Sequence, residues 1–139
     1  MNFERNFDAG IAYCRSKIAN ILFTRELQAR MKNTGKQGFA LSLHPGVIPT
    51  EINRERMSKA GNIALKVVLF PLFFIFCKNS WQGAQTTLYL TLESNEKLEG
   101  GEYYKDCKRA DSSDFSTNME NARRLWKVSE EILGIKFNL

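Results

Sequence analysis

A long helical segment, Ala9 to Asn33, runs within a few residues into Phe39 to His44, which reads FALSLH. That succession constrains the chain more than any other feature. A strand this nearly continuous in apolar residues needs cover on both faces, as the strands of parallel sheets do. A second strand is predicted at about Glu102 to Tyr104, after the Gly100-Gly101 turn, and a helical stretch lies between the two. Strand, helix-bearing crossover and strand form a parallel unit of right-handed connection. The expected class is α/β with three main helices and two strands. No internal repeat or low-complexity linker interrupts it, so the chain reads as one domain or part of one.

The helices carry their own punctuation. Asp8 is placed to cap the first, and Gly35 lies just past its end, where a left-handed stop is expected. Ile11, Cys14, Ile18, Ile21 and Leu22 give that helix an apolar stripe, and Tyr13, Lys17, Asn20 and Thr24 a polar one beside it. The second helix is predicted at about Trp81 to Leu92, with Ser80 as its cap. The third opens on the capping box Thr117-x-x-Glu120 and puts Ala122, Leu125, Trp126, Ser129, Ile132 and Leu133 on one face. Gly134 ends it.

Composition excludes several classes. Cys14, Cys77 and Cys107 are odd in number and widely spaced, and the single histidine, His44, does not complete a zinc set with them. The expectation is reduced thiols, with neither a disulfide framework nor a metal site. The polar start, Met1 to Asn6, is not a signal peptide, so the protein is expected not to be secreted. The longest apolar run, Val67 to Cys77, falls short of the ~20 residues of a spanning helix. Core packing, a substrate pocket and a membrane surface all remain open for it. The net charge of +5 favours anionic partners. Arg54, Arg56, Lys59 and Lys66 precede the apolar run, an order that suits an anionic membrane surface. Aromatics are not interleaved with these cations, so no nucleic-acid partner is expected.

Tyr13 and Lys17 are four residues apart on the first helix and therefore share a face. An ammonium beside a phenol favours the phenolate and brings a poor neutral-pH acid–base group toward its working range. From spacing alone, a surface helix pair is the commoner origin of such a match. Tyr104 and Lys108 match it too, in a strand and turn where four-residue spacing aligns nothing. His44 ends an apolar strand before a proline, where a structural imidazole is expected rather than a catalyst.

Context adds to the pair. The run Ala12 to Asn20 (AYCRSKIAN) resembles the active-site helix of the short-chain dehydrogenase/reductase family. Leu43 to Glu51 (LHPGVIPTE) is similar to that family's P-G-x-x-x-T loop after its sixth strand. Asp106 to Arg109, and Ala122 to Ser129 with Leu133 to Ile135, look like the retinol dehydrogenase-like branch. The order and spacing of all four agree. The resemblance implies the C-terminal portion of a Rossmann-like doubly wound parallel sheet. It implies that Tyr13 is the catalytic acid–base and that Lys17 lowers its pKa and holds the nicotinamide ribose. Pro45, Gly46, Val47 and Thr50 would line the nicotinamide side of NAD or NADP. Pro49, beside Thr50, offers no N–H there.

The family's glycine-rich pyrophosphate turn is not found in this sequence, nor a residue that would distinguish NAD from NADP, nor a serine ahead of Tyr13. Residues 1–139 are therefore expected to be the C-terminal, catalytic Tyr/Lys and substrate-side part of such a domain, with the dinucleotide-binding half absent. The function implied is NAD(P)-dependent interconversion of a lipophilic, retinol-like alcohol and its aldehyde or ketone, by a chain that is truncated and inactive alone. The competing class is a non-catalytic shortened isoform that pairs with a full-length subunit or a second copy, or lies on a membrane. The expected place is the cytoplasmic side, associated with the endoplasmic reticulum membrane.

Overall fold

The computed structural model describes residues 7–48 and 77–137. The chain divides into two compact units. One holds the described residues up to Ser42, Ser94–Tyr104, and those from Arg109 on; the other holds the described residues of Leu43–Glu93 with Lys105–Lys108. Helix α1 spans Ala9–Asn33, as predicted. The Asp8 carboxylate accepts the Ile11 N–H at 2.9 Å, and Gly35 stands at a φ of 70° beyond the last turn. Arg30 and Lys32 in that turn complement the helix dipole.

Three short strands follow in the sheet order β1-β2-β3: β1 Ser42–His44, β2 Tyr103–Lys105 and β3 Lys108–Arg109. Gly101 N–H donates to Ala40 C=O at 2.8 Å and Ser42 N–H to Glu102 C=O at 3.2 Å, which sets β1 parallel to β2. The expected α/β class is the one found. Among the described residues the strand count is corrected from two to three, because a two-residue turn at Asp106-Cys107 folds β3 back on β2. Both turn residues lie at left-handed φ, 53° and 56°, the signature of a type I′ hairpin.

The strand predicted over Phe39 to His44 is shorter than expected. Ahead of Ser42 the Ala40 C=O still takes the Gly101 N–H, but the Ala40 N–H bonds a side chain instead of a strand. The Gln28 carboxamide accepts Ala40 N–H at 2.7 Å and donates to Gly38 C=O at 3.4 Å. It fits there because Gly100 has no side chain; a Cβ at Gly100 would lie 2.4 Å from Gln28 Cδ.

Helix α2 is Ser80–Leu92, and Ser80 is its first residue rather than its cap. Asn79 and Gln82 form a reciprocal capping box, at 2.8 and 3.0 Å. The single turn α3, Asp114–Thr117, precedes α4, Met119–Leu133. The predicted box on Thr117 is corrected too. The Thr117 hydroxyl donates within α3 to Asp114 C=O, while the Asn118 side chain accepts the N–H groups of Glu120 and Asn121. Gly134, at a φ of 64°, ends α4 as expected. Among the described residues no helix is long and apolar enough to cross a membrane.

In the first unit α4 packs on the half of α1 that carries Phe23 and Arg30. Trp126 stacks on Phe23 with ring centroids 5.3 Å apart, meets Phe137 edge-on, and lies under the Arg30 guanidinium at 4.5 Å. Arg30 in turn pairs with the buried Glu26 at 2.7 Å. Leu22 and Ala122 are buried with it, and so is Tyr104, whose hydroxyl accepts the Glu99 N–H at 2.8 Å. The apolar stripe predicted for α1 is fully buried only at Leu22 and half-buried at Ile18 and Ile21. Ile11 and Cys14 are exposed, whereas Thr24 of the polar stripe is buried, its hydroxyl satisfied by Asn20 C=O at 2.9 Å. Burial on α1 falls on Leu22, Thr24 and Glu26, the turns that face α4, so docking position overrides residue type. On α4, likewise, Ala122 and Trp126 are buried but Ile132 and Leu133 are exposed.

Past Gly134 the chain folds back on α4, and the Glu130 carboxylate accepts the Phe137 N–H at 2.9 Å. That bond holds Glu130 below the ordinary glutamate range. A depressed carboxylate contributes stability that is fully present above that range and lost as pH falls through its lowered value. Glu130→Gln should therefore flatten the acid limb of stability, measured by urea unfolding between about pH 6 and pH 3. Identical acid limbs for the two proteins would contradict this.

Candidate active site

The first unit carries Tyr13 and Lys17. Helix α1 is regular through both, so the four-residue spacing stacks them on one face, and Lys17 Nζ stands 5.3 Å from the Tyr13 ring centroid. The Tyr13 carbonyl accepts the Ser16 hydroxyl at 2.7 Å within the helix. Both side chains are exposed, Tyr13 by 58%. The arrangement offers a phenol that can give or take a proton, with a cation over its ring. Tyr104 and Lys108 make no comparable pair: they fall on adjoining strands, and Tyr104 is buried in a structural hydrogen bond.

Pro45, Gly46 and Val47 lie in the second unit, in the loop after β1. His44 holds the start of this loop, its Nδ1 accepting the Gly46 N–H at 2.9 Å, which is the structural role its sequence position favoured. Gly46 has a φ of 92°, which a side chain would rarely tolerate. Val47 C=O accepts the Lys78 N–H at 2.8 Å, and the loop lies against α2 at Gly83, where a Cβ would stand 2.2 Å from Ile48 Cδ1. Pro49, Thr50, the basic residues Arg54, Arg56, Lys59 and Lys66, and the apolar run up to Phe76 lie outside the described residues; its last member, Cys77, is half-buried.

Three participants in this unit were given no site role from sequence, although Asp106 stands within the matched run Asp106 to Arg109. Lys78 forms an ion pair with Asp106 at the tip of the β2–β3 hairpin. The Lys78 hydrogen bond holds the Asp106 carboxyl below its usual range, with Lys105 and Lys108 adding to the effect. Gly83 is the third, and it did leave a signal, since a glycine inside an otherwise regular helix marks a close approach. The pairing of Lys78 with Asp106 left none, being made only by the fold.

No family model matches the chain. It is 40% identical over 134 residues to retinol dehydrogenase 12 of Bos taurus and 41% identical over 134 residues to that of Homo sapiens; each alignment covers 96% of this chain and 40% of the relative. Retinol dehydrogenase 11 of Mus musculus is 40% identical over 132 residues, 95% of this chain and 39% of its own. The chain thus spans about two-fifths of the length of the curated relatives it matches. A crystal structure of an uncharacterized protein from Mycobacterium paratuberculosis aligns with a TM-score of 0.67 at 26% identity, over 98% of this chain and 43% of that one.

Proposed function

We propose, from the premise that this chain is homologous to part of the retinol dehydrogenase-like branch of the short-chain dehydrogenase/reductase family, that it is the catalytic and substrate-side portion of an NAD(P)-dependent oxidoreductase. Its substrate class is a lipophilic, retinoid-like alcohol and the corresponding aldehyde or ketone. The observation that carries the reading is Tyr13-x-x-x-Lys17 standing on one exposed helix face within a segment about 40% identical to several retinol dehydrogenases.

NAD or NADP supplies or accepts a hydride when bound. The residues present fit that group in their chemistry: an exposed phenol and an exposed ammonium are donors that ribose hydroxyls take. The Tyr13 hydroxyl gives its proton to the carbonyl oxygen in reduction and recovers it in oxidation. Lys17 stabilises the phenolate left behind and hydrogen-bonds the ribose. Pro45, Gly46 and Val47 would line the nicotinamide side, together with Thr50, which lies outside the described residues.

The test is a chimera in which the matched residues of the human relative are replaced by this chain. Reduction of all-trans-retinal with NADPH or NADH supports the reading, and the 139 residues alone should be inactive, since their sequence holds no glycine-rich pyrophosphate turn. A chimera that folds and binds cofactor but turns over no lipophilic aldehyde would overturn it. A second reading, a non-catalytic module that pairs with a partner subunit or rests on a membrane, is favoured by Trp81, Leu92 and Ile132, each more than 70% exposed. An inactive chimera together with a chain that sediments as a dimer, or floats with vesicles, would favour it instead.

A further inference from the structure

We infer that Lys78 is a positioning residue for the Pro45–Val47 loop, tied to it through backbone and stem and pinned from the far side by Asp106. The inference rests on the reading of that loop as part of the cofactor site.

Three separate ties converge on Lys78. Its N–H donates to Val47 C=O at 2.8 Å. Its stem lies over Gly46, where a Cβ would come within 2.7 Å of Lys78 Cδ and 3.1 Å of Cε. Its ammonium hydrogen-bonds the Asp106 carboxylate. The residue is itself held just ahead of α2, whose capping box begins at the next position, Asn79. The loop is therefore clamped between the helix start and one lysine.

The hairpin tip is built to present the carboxylate. Asp106 and Cys107 both occupy left-handed backbone, where Asn-Gly would sit with the least strain. The Cys107 N–H bonds the hydroxyl of the buried Thr86 at 3.4 Å, so the tip is also fixed on α2. An aspartate in this turn is explained by what it holds, since Asn would satisfy the backbone at least as well. With side-chain exposures of 31% and 43%, the pair is too wet to matter much for global stability. Its effect is local, and in a cofactor site locality counts: a displacement of about 1 Å can cost on the order of a hundredfold in rate.

The experiment is amide hydrogen exchange by NMR on the 139-residue chain and three variants. Asp106→Asn keeps the turn chemistry and removes the charge; Lys78→Met keeps the stem and removes the ammonium; Lys78→Arg keeps both. Exchange at the amide of residue 78, which reports its bond to Val47, should rise about threefold to fivefold in the first two. It should stay at the wild-type rate in Lys78→Arg, and the double variant should be no faster than either single one. Amides of α1 and α4 serve as the folding control and should not change. Wild-type exchange in both charge-removing variants would overturn the inference. So would Lys78→Arg exchanging as fast as Lys78→Met, since the charge would then do nothing. A parallel NMR titration of the chimera, which carries the relative's own first half, with NADPH and NADH reads the loop's role separately. Absent shifts at Gly46 and Val47 would count against the cofactor reading while the exchange data still decide the clamp.

Discussion

Tyr13→Phe in the chimera is expected to lower kcat by about 10²–10⁴-fold, the usual worth of a positioned acid–base group, while cofactor affinity stays within about twofold of wild type. Phenylalanine keeps the ring, and with it the surface over which Lys17 sits, but has no proton to transfer. Lys17→Ala should damage both quantities, because one ammonium serves the phenolate and the ribose together. Stopped-flow NADPH oxidation with retinal gives kcat, and fluorescence titration gives the cofactor dissociation constant. If Tyr13→Phe retained more than about a tenth of the rate, less than ~1.4 kcal/mol would rest on the hydroxyl, too little for the assigned role.

Trp126→Ala should have the largest effect on stability. Trp126 joins α4 to α1 through the Phe23 stack and the Arg30 guanidinium, and receives the edge of Phe137. Removing a buried indole of this kind costs about 3–5 kcal/mol. Domains of ordinary stability have roughly 5–15 kcal/mol to lose, so the first unit should approach its unfolding threshold. The expected result is a large fall in the urea midpoint by circular dichroism, with Trp126→Phe intermediate because it preserves the stacked face. A shift worth less than about 1 kcal/mol would mean that the aromatic cluster is not the core.

What could be read from sequence was local. Asp8, Gly35 and Gly134 act within one turn of their own positions, and the bounds of α1 and the end of α4 followed from them. The Tyr13–Lys17 juxtaposition was legible for the same reason, being a property of a single helix. Errors arose where neighbouring residues competed for one role. Asn79 displaced Ser80 as a cap, and Asn118 displaced Thr117, because a carboxamide reaches the following N–H groups better than a short hydroxyl does there. The buried face of α1 was legible at Leu22 but not at Thr24 and Glu26, because periodicity does not say where a partner helix docks. β3 and the Lys78–Asp106 pair depend on a hairpin of non-glycine residues at left-handed φ, whose turn signal is weak in Asp-Cys. The pair also spans twenty-eight positions, a separation only the fold can close.

The Gln28 carboxamide bears on the order in which the chain assembles. It supplies an acceptor and a donor to Ala40 and Gly38, much as a peptide group of a neighbouring strand would. Reaching Ala40 from α1 closes a loop of twelve residues, whereas pairing Ser42 with Glu102 closes one of sixty. The difference in closure entropy is about 1.4 kcal/mol, in favour of the short loop. A helix that forms early can thus lend a surrogate peptide to the extending chain and hold Gly38–Ala40 straight before the partner strand arrives. Gly100 on the partner segment leaves room for the amide, where a Cβ would displace it. The same carboxamide still holds Gly38 and Ala40 in the finished structure.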